Sequence, residues 1–457
     1  MQQQTENKMG TAPVLQLVIS MSVPAMFSML VQALYNIVDS IYVSHISMDA
    51  LSAISLVFPL QMVMVALGVG TGVGINSLVA RRLGEGRKRE ASNAATHGLL
   101  LGLGNWILIA IVGIFGAEPF MRMYSDNANI VNMGIIYLRI VMILSFGAFI
   151  QICVEKTLQA TGNMIYPMIS QLVGCITNII LDPILIFGLL GAPALGMAGA
   201  AIATVAGQIL AMCFCLFVLF TKNHDISITF RHFRVRPNII RDIYVVGVPA
   251  IVMQAISSVL VTFLNKILIN FSTSAVNVLG VYYKLQSFVF MPVFGLTQGI
   301  MPILGYNFGA GYKKRMLDTL KIGIIVALVI MTAGMFLFIL APEFLLGLFD
   351  ADASTVQIGI PALRTISYSF LGAALGILFS TLFQAVGKGF MSLCMSLLRQ
   401  LVLILPVAYF LSKISLDATW WAFPIAEVGS FLLGLEFFIH LYRSQLCHLQ
   451  PVSKHDD

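Results

Sequence analysis

Long apolar stretches separated by short polar loops run the whole length of the 457-residue chain. About twenty apolar residues cross the hydrocarbon core of a bilayer as a helix, and longer stretches cross with tilt or a bend. On that rule the pattern predicts twelve spans. The first six cover 14–44, 50–80, 91–117, 130–160, 165–190 and 197–221, and the second six cover 239–269, 275–305, 315–341, 355–385, 390–412 and 418–443. The runs are continuous rather than alternating, which excludes a transmembrane β-barrel. The first run, from Val14 to Ser44, is too long for a cleavable signal peptide and lacks a small-residue cleavage site.

The chain also repeats itself. Shifted by 225 residues, it falls on itself without a gap from about Val23 to Gly162. Val23-Pro24-Ala25 lands on Val248-Pro249-Ala250, Gly84 and Gly86 on Gly309 and Gly311, and Gln159-Ala160 on Gln384-Ala385. Eight of the fourteen glycines between Gly68 and Gly162 meet another glycine. This is the signature of a duplicated unit. Each half has an even number of spans, so the repeat is parallel, with its pseudo-twofold axis along the membrane normal. The predicted fold is therefore an all-α polytopic membrane protein with twelve transmembrane helices in two pseudo-twofold-related six-helix bundles. The sequence divides into a first bundle over 1–222, a polar linker over 223–238, and a second bundle with a short tail over 239–457.

Composition sharpens this picture. Hydrophobic residues make up 58% of the chain and charged residues 10%, with a mean hydropathy of +0.92. Soluble domains carry about 25% charged residues. A disordered chain, a disulfide-stapled scaffold and an ordinary cytosolic enzyme are excluded. The net charge of +6 does not indicate nucleic acid, because the basic residues sit in short loops between apolar runs. Five lie in 81–90, five in 222–241 and four in 313–321. The opposite set of loops holds only Arg122 and Lys413, beside Asp49, Glu118, Asp126, Glu343, Asp350, Asp352 and Asp417. The positive-inside rule then places both termini in the cytoplasm.

A charge at the bilayer centre costs about 2.5–3.5 kcal/mol even on a lenient scale, so each intramembrane charge requires an explanation. Asp39 lies in span 1 and Asp182 in span 5, with Asn178 one turn from Asp182 on the same face and Thr204 in span 6. All four fall at similar depth in the outer half of the first bundle. Two carboxylates with neutral oxygens can replace the water of a hard monovalent cation, or share a proton. The bland alternative is a pair of protonated structural acids. In the second bundle Leu264 stands where Asp39 stands in the first, and the ionisable groups are Lys266, Lys284 and Glu427. A lysine–glutamate pair there serves either structure or a role in gating and substrate binding. Arg139 and Arg364, related by the repeat, read as snorkelling or packing residues. Pro24, fifteen residues before Asp39, offers either a bend point or a static kink. No GxxxxGK[ST], HExxH or GxSxG occurs, so neither an enzyme nor a bound cofactor is expected.

Five segments resemble the multidrug and toxic compound extrusion (MATE) family: Ala80 to Arg89, Gly305 to Gly311, Gln159 to Asn163, Gln384 to Gly387, and Trp420 to Glu427. The resemblance covers essentially the whole chain. It implies a cation-coupled antiporter of the bacterial cytoplasmic (inner) membrane that exports amphipathic, mostly cationic drugs by alternating access between two lobes around a central cavity. H+ or Na+ is the coupling ion. The family's aspartate on span 1 and asparagine–aspartate pair on span 5 match Asp39, Asn178 and Asp182, and its span 1 proline matches Pro24. Second-lobe acids found in some members are missing, with Leu264, Asn265, Lys266 and Phe370-Leu371 around those places, which favours coupling through the first lobe. Gln32, Tyr35 and Asn36, with Lys266, Lys284 and Glu427, are the expected substrate contacts. The expected partners are small amphipathic molecules and the lipid bilayer, with no nucleic acid and a monomeric state. The rival readings are a flippase for a lipid-linked precursor, and a channel or non-transporting scaffold.

Overall fold

The computed structural model describes residues 7–222, 225–228, 234–349 and 351–451. Asp350 and residues 223, 224 and 229–233 of the expected linker lie outside the described residues. The described residues are helical, with no strand among them. Ten helices are long and apolar enough to cross a membrane, and two bent pairs bring the number to twelve. In chain order they are α1 (Val14–Ser44), α2 (Met48–Gly84), α3 (Lys88–Tyr124), α4 (Ala128–Ile143 and Phe146–Ala160), α5 (Ile165–Phe187) and α6 (Met197–Thr221). The second set is α7 (Pro237–Leu268), α8 (Thr273–Gly309), α9 (Lys313–Leu340), α10 (Ala353–Ser367 and Ser369–Ala385), α11 (Gly389–Ser412) and α12 (Ala422–Ser444). The protein is a multi-pass membrane protein.

The duplication is visible in local geometry. Ser47 and Ser272, both extended, cap α2 and α8 by accepting from the backbone N–H three residues on, at Ala50 and Ala275. The two bent pairs turn by 45° and 46° at equivalent places. Four repeat-related helix ends stop at a glycine in the left-handed region: Gly86 (φ 78°), Gly162 (φ 88°), Gly311 (φ 74°) and Gly387 (φ 82°). Each closes with the same two backbone bonds. At Gly86 these are Arg87 N–H to Arg82 O at 2.9 Å and Gly86 N–H to Leu83 O at 3.1 Å. That is the Schellman pattern, which a side chain at the glycine would strain. Four of the five resembling segments thus contain helix stops.

The chain forms two compact units, residues 27–251 and residues 1–26 with 252–457. The boundary differs from the one expected at 223–238, because the first part of each repeat's opening helix belongs to the other unit. Small residues explain the exchange. A Cβ on Gly295 or Gly299 of α8 would lie 2.5 Å from Met26 Cα and 2.7 Å from Ser22 Cα. One on Gly70 or Gly74 of α2 would lie 2.8 Å from Ile251 N and 2.2 Å from Ile243 O. Each glycine pair therefore forms a groove that only a close-packed helix backbone fills. α1 changes unit directly after Pro24, and α7 directly after the repeat-related Pro249.

Candidate functional site

Within the 27–251 unit, α5 and α6 meet on glycines. A Cβ on Gly207 would lie 2.6 Å from the Gly174 carbonyl oxygen, and one on Gly199 would lie 2.4 Å from the Leu185 carbonyl oxygen. This approach of two helix backbones requires side chains no larger than hydrogen at the contact. It brings Asn178 and Asp182 of α5 against Thr204 of α6, and all three are buried, at 2%, 0% and 8% exposure. With its amide turned to suit both neighbours, Asn178 donates from Nδ2 to Asp182 Oδ2 at 2.8 Å and accepts from the Thr204 backbone N–H at 3.1 Å. The Thr204 hydroxyl donates to Ala200 O at 3.0 Å. Pro183, directly after Asp182, has no N–H to donate, so one backbone hydrogen bond is missing beside the carboxyl.

From α1, the Asp39 carboxyl comes within hydrogen-bonding reach of Asp182. Tyr35, one turn earlier, reaches Thr204. The structure thus gathers Asp39, Asn178, Asp182 and Thr204 in one place, and it puts Tyr35 in that group rather than in a separate contact set. Two further residues close the group that sequence reasoning missed. Tyr137 of α4 is 3% exposed and reaches Thr204. Its hydroxyl accepts from Gln61 Nε2 of α2 at 3.2 Å. A signal was present: the repeat partner of Tyr137 is Ala362, as that of Asp39 is Leu264. A polar residue confined to one half of a duplicated chain marks chemistry that half performs alone.

Asp39 Oδ1 and Asp182 Oδ1 are both buried without a hydrogen-bond partner. Among the described residues no Lys, Arg or His forms an ion pair with either. No three His, Cys, Asp or Glu side chains of the described residues assemble a metal-binding cluster either. The donor set is two carboxyls, an amide and hydroxyls: hard oxygen ligands suited to a proton or a small monovalent cation. Adding one positive charge relieves both the repulsion between the acids and the loss of their hydration.

The other expected contacts are spread more widely. Gln32 and Asn36 are exposed side chains on α1. Lys266 and Lys284 are exposed, with Nζ 5.4 Å from the Phe263 ring centre and 5.7 Å from that of Phe349. The expected lysine–glutamate pairing is therefore corrected. Glu427 is buried in α12 and bonds Arg399 of α11, Nη1 to Oε1 at 3.2 Å. Flexible lysine stems keep their charges on exposed faces, while the buried acid takes the cation nearest to it. Arg364 Nε donates to Ile339 O at 3.1 Å, and Arg139 Nη2 lies 3.7 Å from Glu118, in line with a packing and snorkelling role.

Known proteins were compared with the chain. Residues 24–184 and 249–410 each match the family model described as MatE, and the two matches start one repeat length apart. The multidrug export protein MepA of Staphylococcus haemolyticus is 27% identical over 427 residues, covering 93% of each chain. Its namesake from Staphylococcus saprophyticus is 28% identical over 431 residues, again covering 93% of each. Among solved structures, one described as the outward-facing conformation of a multidrug resistance MATE family transporter of the MOP superfamily superposes with a TM-score of 0.89. It has 27% identity and covers 96% of this chain and 99% of that one.

Proposed function

The chain belongs to the MatE family, and from that premise we propose that it is a cation-coupled antiporter exporting amphipathic, mostly cationic small molecules. The observation that carries the reading is the Asp39–Asp182 pair, with one buried, unpartnered oxygen on each carboxyl. An imported proton or Na+ neutralises the pair and is held there by Asp182, Asn178 and the hydroxyls of Thr204, Tyr35 and Tyr137. While the pair is charged it favours a cationic cargo; once neutral it releases that cargo and lets α1 bend at Pro24. Uptake of one charge and release of another are thereby made alternatives at one site, which is what exchange requires. The name shared by the Staphylococcus relatives, multidrug export protein, supports a broad cargo class. So do the 24 methionines, whose flexible thioethers tolerate cargo of different shapes.

In this reading the chain works as a monomer in the bacterial inner membrane with both termini cytoplasmic, as its loop charges favour. The flippase alternative would need basic residues free to meet phosphates, whereas Lys266 and Lys284 rest over aromatic rings. Dye efflux from proteoliposomes under a proton gradient and, separately, a sodium gradient tests the proposal. One gradient should drive export, and Asp39→Asn should abolish it while the protein still inserts and folds. Undiminished gradient-driven export by Asp39→Asn would overturn the site assignment.

A further inference from the structure

The 252–457 portion of the chain contains a buried charge pair that the mechanism above does not use. Glu427 Oε1 accepts from Arg399 Nη1 at 3.2 Å, but Glu427 Oε2 is buried with no partner. Glu427 is only 7% exposed. In a static ion pair inside a membrane, both carboxylate oxygens would be satisfied, because each unpaired one is costly. Gly372 and Gly376 of α10 face this side chain. A Cβ on Gly372 would lie 2.8 Å from Glu427 Cβ, and one on Gly376 would lie 3.9 Å from both Glu427 Oε2 and Ser430 Oγ. A glycine thus lies beside the unpaired oxygen, with the Ser430 hydroxyl equally close to that glycine.

Arg399 is held differently from its partner. It lies in a π-helical stretch, Leu398–Ile404, inside α11, and its side chain is 27% exposed. π-Helical turns are rare and frequent at functional sites. The next residue, Gln400, anchors the turn, accepting from Ser257 Oγ at 3.1 Å and donating to Ser396 Oγ at 2.8 Å. Among the described residues, Tyr282 and Tyr283 of α8 lie within electrostatic range of the pair, and the Tyr283 hydroxyl is itself buried without a partner. From α10, Gly372 and Gly376 face Glu427.

The repeat supplies an independent pointer. The pattern Ile-Ala-x-Val at 202–205 recurs 223 residues on at 425–428, with Glu427 in the place of Thr204, and Pro183 recurs at the same offset as Pro406, with Leu405 in the place of Asp182. Glu427 therefore occupies, in the second repeat, the place that Thr204 holds beside the carboxyl pair in the first.

We propose that Glu427 is a second cation-exchange site, at which an entering proton or sodium ion takes Oε2 and displaces the Arg399 guanidinium. The exchange conserves charge at the carboxylate: one cation arrives as another leaves, and Arg399 moves to its exposed side. The proposal rests on the antiport reading only for its place in a transport cycle, since the site itself is read by binding.

The test uses the purified full-length protein carrying Asp39→Asn and Asp182→Asn, which silences the first site. One arm counts radioactive sodium bound per chain. The other counts protons released between about pH 5 and about pH 8, a window above the range where an ordinary carboxylate titrates. The expected result is one sodium ion bound per chain, or one proton released per chain beyond the background of the seven histidines that titrate in this window, lost on adding Glu427→Gln. If the ion is sodium, Gly376→Ala should lower its occupancy severalfold by setting a methyl beside Oε2. If it is a proton, the count should survive that change. Should Glu427→Gln not fold, Arg399→Gln decides: removing the competitor raises cation binding at an exchanging site. No count lost with Glu427→Gln, or no gain with Arg399→Gln, would show a structural ion pair and overturn the proposal. Because both arms read binding, a failure of dye efflux would count against the antiport reading and leave this result standing.

Discussion

Replacing Gly207 by alanine tests whether the close approach of α5 and α6 holds the carboxyl site in shape. The added Cβ would sit 2.6 Å from the Gly174 carbonyl oxygen, while ordinary contact begins near 3.4 Å, so the two backbones must part by 3.4 − 2.6 = 0.8 Å. Both partners are helix backbone, and neither can turn aside as a side chain would. The Asn178 amide lies 3.2 Å from the Thr204 hydroxyl, and a shift of that size along the contact carries it past hydrogen-bonding distance. Overpacking of this kind costs about 1–3 kcal/mol. The expected outcome is a loss of about 2–12 °C in thermal midpoint for a unit of this size. A weakening of the coupling-ion dependence by about tenfold should accompany it, the equivalent of about 1.4 kcal/mol.

Thermal unfolding in detergent and ion-titrated efflux from proteoliposomes would be measured on the same preparations. Gly104→Ala provides the control, because nothing lies within 4 Å of its added Cβ, and it should stay within about 0.5 kcal/mol of the parent. If Gly207→Ala matched Gly104→Ala in both measurements, the argument that glycine packing shapes the site would fail.

Two other predictions follow from the ends of the helices. Gly86→Ala should cost only the left-handed backbone strain, about 1–2 kcal/mol, since nothing lies within 4 Å of its added Cβ. Gly311→Ala must also move the Gln450 carbonyl, 2.0 Å from its Cβ, so the second variant should melt clearly lower than the first; equal midpoints would contradict this. Arg315 donates to Met9 O at 3.1 Å and to Ala12 O at 2.7 Å, pinning the segment before α1. Arg315→Ala should raise amide exchange in residues 8–12 with the helical circular dichroism unchanged, and unaltered protection there would show that the pin is not what orders the segment.

How much of this was legible in the sequence follows from how local each signal is. A spanning helix is written in its own twenty or so residues, so the twelve spans could be read directly, whereas the repeated glycines at 86, 162, 311 and 387 showed their helix-stopping role only in the structure. Asp39, Asn178, Asp182 and Thr204 were legible because charge and polarity at one membrane depth are conspicuous on an apolar background. Tyr137 and Arg399 were not. An amphipathic tyrosine in an apolar run reads as an ordinary membrane-helix residue, and only comparison of the two repeat halves, where Ala362 takes its place, sets it apart. Arg399 was invisible as a partner because the π-helical stretch alters which face of α11 it occupies, and helical periodicity cannot anticipate an altered turn. The exchange of the first parts of α1 and α7 between units was likewise hidden: it depends on glycines of α2 and α8 meeting a backbone far away in sequence.

The frame of this protein is duplicated more faithfully than its chemistry, and that difference can be tested at Leu264. This residue is the repeat counterpart of Asp39 and is 2% exposed. If the frame alone made an ion site, Leu264→Asp would create a second one. The geometry argues otherwise. Asp39 works beside Asp182 and Tyr137, whose counterparts are Leu405 and Ala362, so neither counterpart has a side-chain oxygen to offer. A carboxylate placed there gains no oxygen from those two positions, and the Thr204 counterpart offers only the acid Glu427, already paired with Arg399, so its burial costs about 2.5–3.5 kcal/mol. Leu264→Asp should therefore lower the thermal midpoint and leave the number of bound coupling ions unchanged. A stable variant that bound one more ion than the parent would show that helix geometry, rather than the converging oxygens of Asp182, Asn178, Thr204 and the two tyrosines, is sufficient to make a site.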